Sequence, residues 1–282
     1  VIEPAGILKA PDDVAIPYYD FGGVGPDLLL AHATGFCAAV LAPMAEALRE
    51  RFRCVGLDLR AHGRSGRPVD GVLDWQGFAD DVLAVTEVLG LRSPLGFGHS
   101  CGGASLLLAE QARPGTFSGL YCFEPVVYPG ETPLAPSLDG NPLSASALRR
   151  RSDFSSRDEA IDNYRSKPPF DRIRLDVLEA YVDNGFTSSP GGGISLRCRR
   201  EDEAQIYAHA FAHGAFARLP EVRCPVIFAC GAETDGFGPE FLDLFAARVS
   251  RSRTLALPGL GHFGPLENPD ELARSVSASL LG

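Results

Sequence analysis

Short apolar runs and helix-period segments take turns along both ends of this chain. That alternation restricts the fold more than any other feature. "DVAIPYYDF" (13–21) and "DLLLAHA" (27–33) are β-compatible runs separated by a Gly-Gly-Val-Gly-Pro turn. "AVLAPMAEALRERF" follows with Val40, Leu41, Met44, Leu48 and Phe52 on one helical face, and then the strand "CVGLDL" (54–59). A helix is predicted over "DWQGFADDVLAVTEVLG", opened by an Asp74 cap signal and stopped at Gly90. "PLGFGHS", "CGGASLLLAEQA" and "FSGLYCFEPVV" (117–127) read as strand, helix and strand. The rhythm resumes with the strand "CPVIFACGA" (224–232), a helix around "GPEFLDLFAARV", the strand "RTLALPG" (253–259) and the helix "NPDELARSVSASLLG". Such an order predicts an α/β class fold with a mostly parallel, doubly wound sheet and right-handed crossovers.

Residues 128–220 break the pattern. They are polar and helix-rich, punctuated by "YPGETPLAPSLDGNP" and "SSPGGG", and no alternating strands are read there. "DEAIDNY" and "RLDVLEAYV" carry helical periodicity, and Phe170, Leu175, Leu178 and Tyr181 call for burial. The expected organisation is a core of 1–127 and 221–282 with 128–220 inserted as a helical cap.

At 282 residues and 45% apolar content the chain can bury a large core. With 26 basic and 36 acidic residues the net charge is −10, which argues against a nucleic-acid partner. The basic knot Arg149-Arg150-Arg151 reads as a solvated helix face. Seven cysteines without a CxxC spacing sit mostly in apolar runs, as in a reducing compartment without structural disulfides. No segment is long and apolar enough to span a bilayer, so a soluble, cytoplasmic protein is expected. No metal-ligand spacing is present and no cofactor is called for.

The chemistry begins at "GFGHSCGG" (96–103), between a predicted strand and a predicted helix. Glycines at 98 and 102 allow a sharp bend that lifts the Ser100 hydroxyl above the sheet edge, at a helix N-terminus that favours negative charge. A serine needs a base. Of six histidines, His99 points away from its neighbour Ser100, His32 and His62 suit loop ordering, and His209 and His213 fall on a cap helix. His262, in the Gly-flanked loop "LPGLGHFGPLENP" beyond the last strand, is the expected base. The base needs an acid. Asp235 in "CGAETDGFG" is preferred, with Glu124 in "CFEPV" and Glu233 as rivals. For the oxyanion, the Cys101 N–H and a donor from "HATGF" (32–36) are expected; Thr34 is chosen over Ala33 or Gly35.

The order Ser…Asp…His, the elbow "GHSCGG", the "HATGF" loop, "DLRAHGRSG" (58–66) and the "GHFGPLENP" ending together resemble the α/β-hydrolase superfamily. The resemblance covers both ends of the chain and implies that the middle is the cap this family inserts after its sixth core strand. Two departures stand out. The family's His-Gly pair after the third strand is His32-Ala33 here, and its Arg-Gly-His-Gly loop reads Arg60-Ala61-His62-Gly63. Within the cap, "RRRSDFSSRDEAIDNYRSKPPF", "LEAYVDNGF" and "LRCRREDEAQIY" resemble in part a subgroup of peroxisomal lipase-like and acyl-CoA thioester-cleaving enzymes. The implied activity is cofactor-free serine hydrolysis of a small-molecule carboxylic ester or thioester through an acyl-enzyme. A carbon–carbon bond hydrolase, a perhydrolase of the haloperoxidase type and a non-catalytic ligand receptor share the fold.

Overall fold

A computed structural model describes all 282 residues. In chain order the core begins β1 (Gly6–Lys9), β2 (Ala15–Gly23), β3 (Asp27–Ala31), α1 (Ala42–Leu48), β4 (Arg53–Leu57), α2 (Trp75–Val88), β5 (Leu95–His99), α3 (Cys101–Ala112) and β6 (Gly119–Phe123). The inserted segment holds α4 (Pro142–Arg149), β7 (Asp153–Phe154), α5 (Arg157–Arg165), α6 (Leu175–Gly185), β8 (Phe186–Ser188), β9 (Ile194–Leu196) and α7 (Arg200–His209). The core then closes with β10 (Val226–Gly231), α8 (Pro239–Ala246), β11 (Ser252–Leu257), the short α9 (Gly264–Glu267) and α10 (Pro269–Leu281).

Eight strands form one sheet in the order β1-β2-β4-β3-β5-β6-β10-β11. Only the pairs β1–β2 and β2–β4 run antiparallel; from β4 to β11 every pairing is parallel. The interior strands have apolar side chains on both faces, as a sheet covered by helices on each side requires. Leu29 and Ala31 of β3 join one buried cluster, while Leu28 and Leu30 join the other. Val226, Phe228 and Cys230 of β10 likewise oppose Ile227 and Ala229. Fully burying a side chain of this size contributes about 1.5–3 kcal/mol.

Helix starts follow the caps. The Asp74 carboxylate accepts from the Gly77 N–H at 2.9 Å to open α2, and the Asn268 side chain accepts from the Glu271 N–H at 3.1 Å to open α10. Four strands differ from the sequence expectation. β1 adds an antiparallel edge strand that the periodicity does not reveal. Within 128–220, β7, β9 and β8 pair as a three-stranded antiparallel sheet, each strand only two or three residues long and too short to show alternation.

The inserted segment shares the core's packing. Phe154, Ile161, Tyr164, Leu178 and Tyr181 lie in one cluster with Phe36, Val40 and Met44. On the other side of the sheet, Ile206 joins the α2 cluster, and the Trp75 indole donates to its carbonyl at 2.9 Å. All seven cysteines are buried and unpaired, and no helix is long and apolar enough to cross a membrane.

Candidate active site

Ser100 sits between β5 and α3 with φ 54° and ψ −113°, a left-handed conformation that a serine adopts only under constraint. The bend is pinned by backbone: the Ser100 N–H donates to the Phe123 carbonyl at 2.9 Å, and the Ser100 carbonyl accepts from the Ala104 N–H at 3.1 Å. The flanking glycines are required by space. A Cβ on Gly98 would come within 2.6 Å of the Gly102 carbonyl, and one on Gly102 within 2.2 Å of the Ala31 carbonyl oxygen. The Ser100 hydroxyl does not cap α3 and makes no hydrogen bond to any protein group, His262 included. The neighbouring Cys101 thiol is buried and its pKa is pushed up to about 12 by that burial, so it is no competing nucleophile at neutral pH.

The turn after β3 faces the start of α3. The Ala33 carbonyl accepts from the Phe36 N–H at 3.2 Å, and Gly35 takes φ 81°, as the third position of such a turn demands. The N–H groups of Ala33, Thr34 and Gly35 donate to no protein acceptor. Ala33 and Thr34 are buried, and their unpaired N–H groups stand near the start of α3, whose first amides have no intrahelical acceptor. The His32 ring orders the loop: Nδ1 donates to the Ala33 carbonyl at 2.8 Å and Nε2 accepts from the Leu59 N–H at 3.1 Å. Ala61 stands in the left-handed region at φ 62°, where the resemblance expects glycine.

His262 lies in the loop between β11 and α9, and its Nδ1 is 2.7 Å from Glu124 Oε2. This bond puts the ring proton on Nδ1 and leaves Nε2 basic. Glu124 follows β6, is fully buried and takes φ 44°. Its oxygens are fed by donors: the Gly231 N–H reaches Oε1 at 3.0 Å and the Thr234 hydroxyl reaches Oε2 at 2.8 Å. The loop closes over the pair, since a Cβ on Gly236 would lie 3.1 Å from Glu124 Oε2 and 3.5 Å from His262 Nδ1.

Asp235 is therefore not the partner of His262. It is exposed on the outer side of the same loop and its side chain makes no hydrogen bond, because the chain from Gly231 turns Thr234 inward instead. Glu233 also faces outward, to Arg172 at 3.3 Å. His99, which the sequence sets aside as the base, has another place here: its Nε2 donates to the His262 carbonyl at 2.9 Å and ties the elbow strand to the histidine loop. Burial holds the His99 pKa well below its ordinary value, with the nearby His262 adding to the effect, so the ring is neutral and can donate from only one nitrogen.

Residues 128–220 complete the surroundings. The basic knot is not uniformly solvated: Arg149 is exposed and Arg151 pairs with Glu159 at 2.6 Å, but Arg150 turns inward with 16% of its side chain exposed. Its Nη1 donates to Glu203 Oε2 at 2.8 Å, and its Nη2 donates to the hydroxyls of Tyr164, at 3.1 Å, and Tyr181. This cluster rests on the turn after β3, since a Cβ on Gly35 would be 2.8 Å from Glu203 Oε1 and 3.1 Å from Arg150 Nη1. Phe36, Phe170 and Phe263 form an aromatic wall with ring centroids 5.7–5.9 Å apart.

A strand-to-helix elbow bearing a serine, with a histidine after the last strand of a parallel sheet, defines an α/β hydrolase. The chain belongs to that family: the model of the alpha/beta hydrolase family matches residues 28–275. Among curated proteins it is similar to the bifunctional esterase/perhydrolase DCH of Acinetobacter calcoaceticus, 26% identical over 97% of this chain and 98% of that one. Among solved structures it superposes on an E-2-(acetamidomethylene)succinate hydrolase with TM-score 0.83 at 18% identity, covering 98% and 99% of the two chains. It also superposes on the peroxisomal α/β-hydrolase Lpx1 of Saccharomyces cerevisiae with TM-score 0.78 at 19% identity, covering 100% and 85%.

Proposed function

We propose that the protein hydrolyses a carboxylic ester or thioester through an acyl-enzyme, with Ser100 as nucleophile, His262 as base and Glu124, in place of Asp235, as the acid. The observation that carries this reading is the 2.7 Å contact between His262 Nδ1 and the buried Glu124 carboxylate, on the sheet edge where Ser100 projects. Ser100 Oγ attacks the carbonyl carbon as His262 Nε2 takes its proton, and the same proton passes to the departing alcohol or thiol. Glu124 holds the Nδ1 tautomer and stabilises the imidazolium. The Thr34 and Cys101 N–H groups hold the oxyanion, each such donor typically contributing about 10²–10³ in rate. Water then adds to the acyl carbon, His262 accepting its proton, and the acid product leaves as Ser100 recovers its hydrogen. The Ser100–His262 hydrogen bond closes as substrate fills the cleft, in keeping with the loose catalytic contacts of unliganded sites.

A second reading follows from the esterase/perhydrolase relative: hydrogen peroxide replaces water in deacylation and a peroxy acid leaves. Both readings need the same acyl-enzyme. Ser100→Ala is expected to lower hydrolysis of p-nitrophenyl butyrate by about 10⁴-fold or more with an unchanged far-UV spectrum. A folded variant that keeps turnover removes Ser100 from the mechanism.

A further inference from the structure

We propose that the cap builds a carboxylate subsite over the oxyanion turn, with Arg150 at its centre, so that the substrate carries a carboxylate close to its scissile carbonyl. The proposal starts from a count of hydrogen-bond donors. The Arg150 guanidinium has five N–H groups; one goes to Glu203 and two to tyrosine hydroxyls, leaving Nε–H and one Nη1–H without a protein acceptor. Tyr164 and Tyr181 are both buried, and each hydroxyl accepts from Arg150 while its own proton meets no protein acceptor. A third phenol, Tyr207, stands one turn after Glu203 on α7, and its hydroxyl makes no hydrogen bond. Five donors are thus unspent, and the one charged acceptor atom left free is Glu203 Oε1.

The unpartnered Arg150 Nε and Tyr207 hydroxyl are not sealed from solvent, so they are open to a ligand rich in acceptors. A carboxylate offers two oxygens with about four acceptor positions and matches the planar guanidinium. The cluster's place fixes which carboxylate. Arg150 Nη1 and Glu203 Oε1 bear directly on Gly35, whose neighbour Thr34 is proposed to hold the oxyanion, so the recognised group is a near neighbour of the reacting carbonyl. Glu203 holds one edge of the guanidinium and sets its orientation. Further carboxylates that approach from the Glu203 side are repelled, which favours one binding direction.

The kinetic test rests on the esterase reading and the binding test does not. In the first, kcat/KM for monomethyl succinate is compared with that for methyl levulinate, an uncharged ester of nearly the same shape, by titration of released acid. The native enzyme is expected to prefer the charged ester by about tenfold or more, and Arg150→Met to bring the ratio to about one. In the second, succinate is titrated into Ser100→Ala by calorimetry; millimolar or tighter binding is expected, weakened about tenfold by adding Arg150→Met and about threefold by adding Tyr207→Phe. Should Arg150→Met not fold, Tyr207→Phe, which removes one hydroxyl and no charge, carries both arms. A native ratio near one, an equal loss on both esters, or no succinate binding by Ser100→Ala overturns the subsite. Succinate binding through Arg150 without hydrolysis of any ester keeps the subsite and overturns the esterase reading.

Discussion

Glu124→Gln is the change that most directly tests how His262 is driven. In the proposed reaction the His262 ring becomes positive in the transition state against the Glu124 carboxylate, with Nδ1 and Oε2 2.7 Å apart. Two unit charges about 4 Å apart at an effective dielectric constant of about 20 attract by about 4 kcal/mol. At about 1.4 kcal/mol per decade that is roughly a thousandfold in kcat. The amide introduces a second fault. If its nitrogen takes the Oε2 position, it offers hydrogen to His262 Nδ1 and favours the wrong tautomer. If it takes the Oε1 position, it faces the Gly231 N–H, donor against donor in a fully buried place. Neither orientation is good, so the loss is expected to be about 10³-fold or larger with KM little changed. Asp235→Asn changes an exposed side chain with no hydrogen bond and is expected to stay within about twofold. The assay is steady-state hydrolysis of p-nitrophenyl butyrate by both variants, with urea midpoints measured alongside. More than a tenth of native kcat in Glu124→Gln, or more than a tenfold loss in Asp235→Asn, refutes the assignment.

Gly102→Ala places a methyl group 2.2 Å from the Ala31 carbonyl oxygen, so β3 and α3 have to separate. A stability loss of about 3 kcal/mol or more is expected by urea denaturation, and a native midpoint would contradict the packing at the elbow. Stability should also fall in mild acid. Burial lowers the pKa of His32, His62 and His213 to about 4 each, so all three stay neutral in the fold while the unfolded chain binds protons below its ordinary value of about 6.5. Between about pH 6.5 and 4 the unfolded state therefore holds more protons, and each ring removes up to about 1.4 kcal/mol per pH unit as the pH drops. Urea midpoints that do not move across that range would show that these rings are solvated.

The elbow and the histidine loop were legible because each depends on local sequence. Glycines at 98 and 102 announce a close backbone approach, and His262 follows the last strand within a Gly-flanked loop. The carboxylate that pairs with His262 was not legible in the same way. β6 and β10 are parallel neighbours, with Phe123 level with Ala229, so carboxylates after either strand start from the same edge. Which one arrives depends on backbone angles that composition does not encode. Glu124 leaves its strand at φ 44° and turns straight toward His262, whereas the chain after Gly231 runs on before Asp235 and faces solvent there. A signal was present in Thr234: a hydroxyl one residue before a supposed catalytic aspartate has a reason to exist if it serves another carboxylate. Arg150 escaped for a related reason. Three arginines in a row read as a solvated face, yet Arg150 falls just past the end of α4, where the chain leaves the helical path and turns the middle side chain inward.

Pairing His262 with a carboxylate just past the end of β6 has a physical consequence for the proposed base. Asp235, exposed to water, would be screened and would have to be held in place by its own loop. Glu124 is enclosed, and its charge is supported by the Gly231 N–H and the Thr234 hydroxyl in addition to His262. Losing any one of those three partners leaves a buried carboxylate oxygen underpaired, which couples the base to the β10 loop. On the opposite side, His99 couples the same histidine to the elbow strand through its carbonyl. His262 is thus held by two strands of the sheet at once, its ring by the acid and its backbone by the neighbour of the nucleophile. Approach of the ring to Ser100 is the motion the proposed reaction needs.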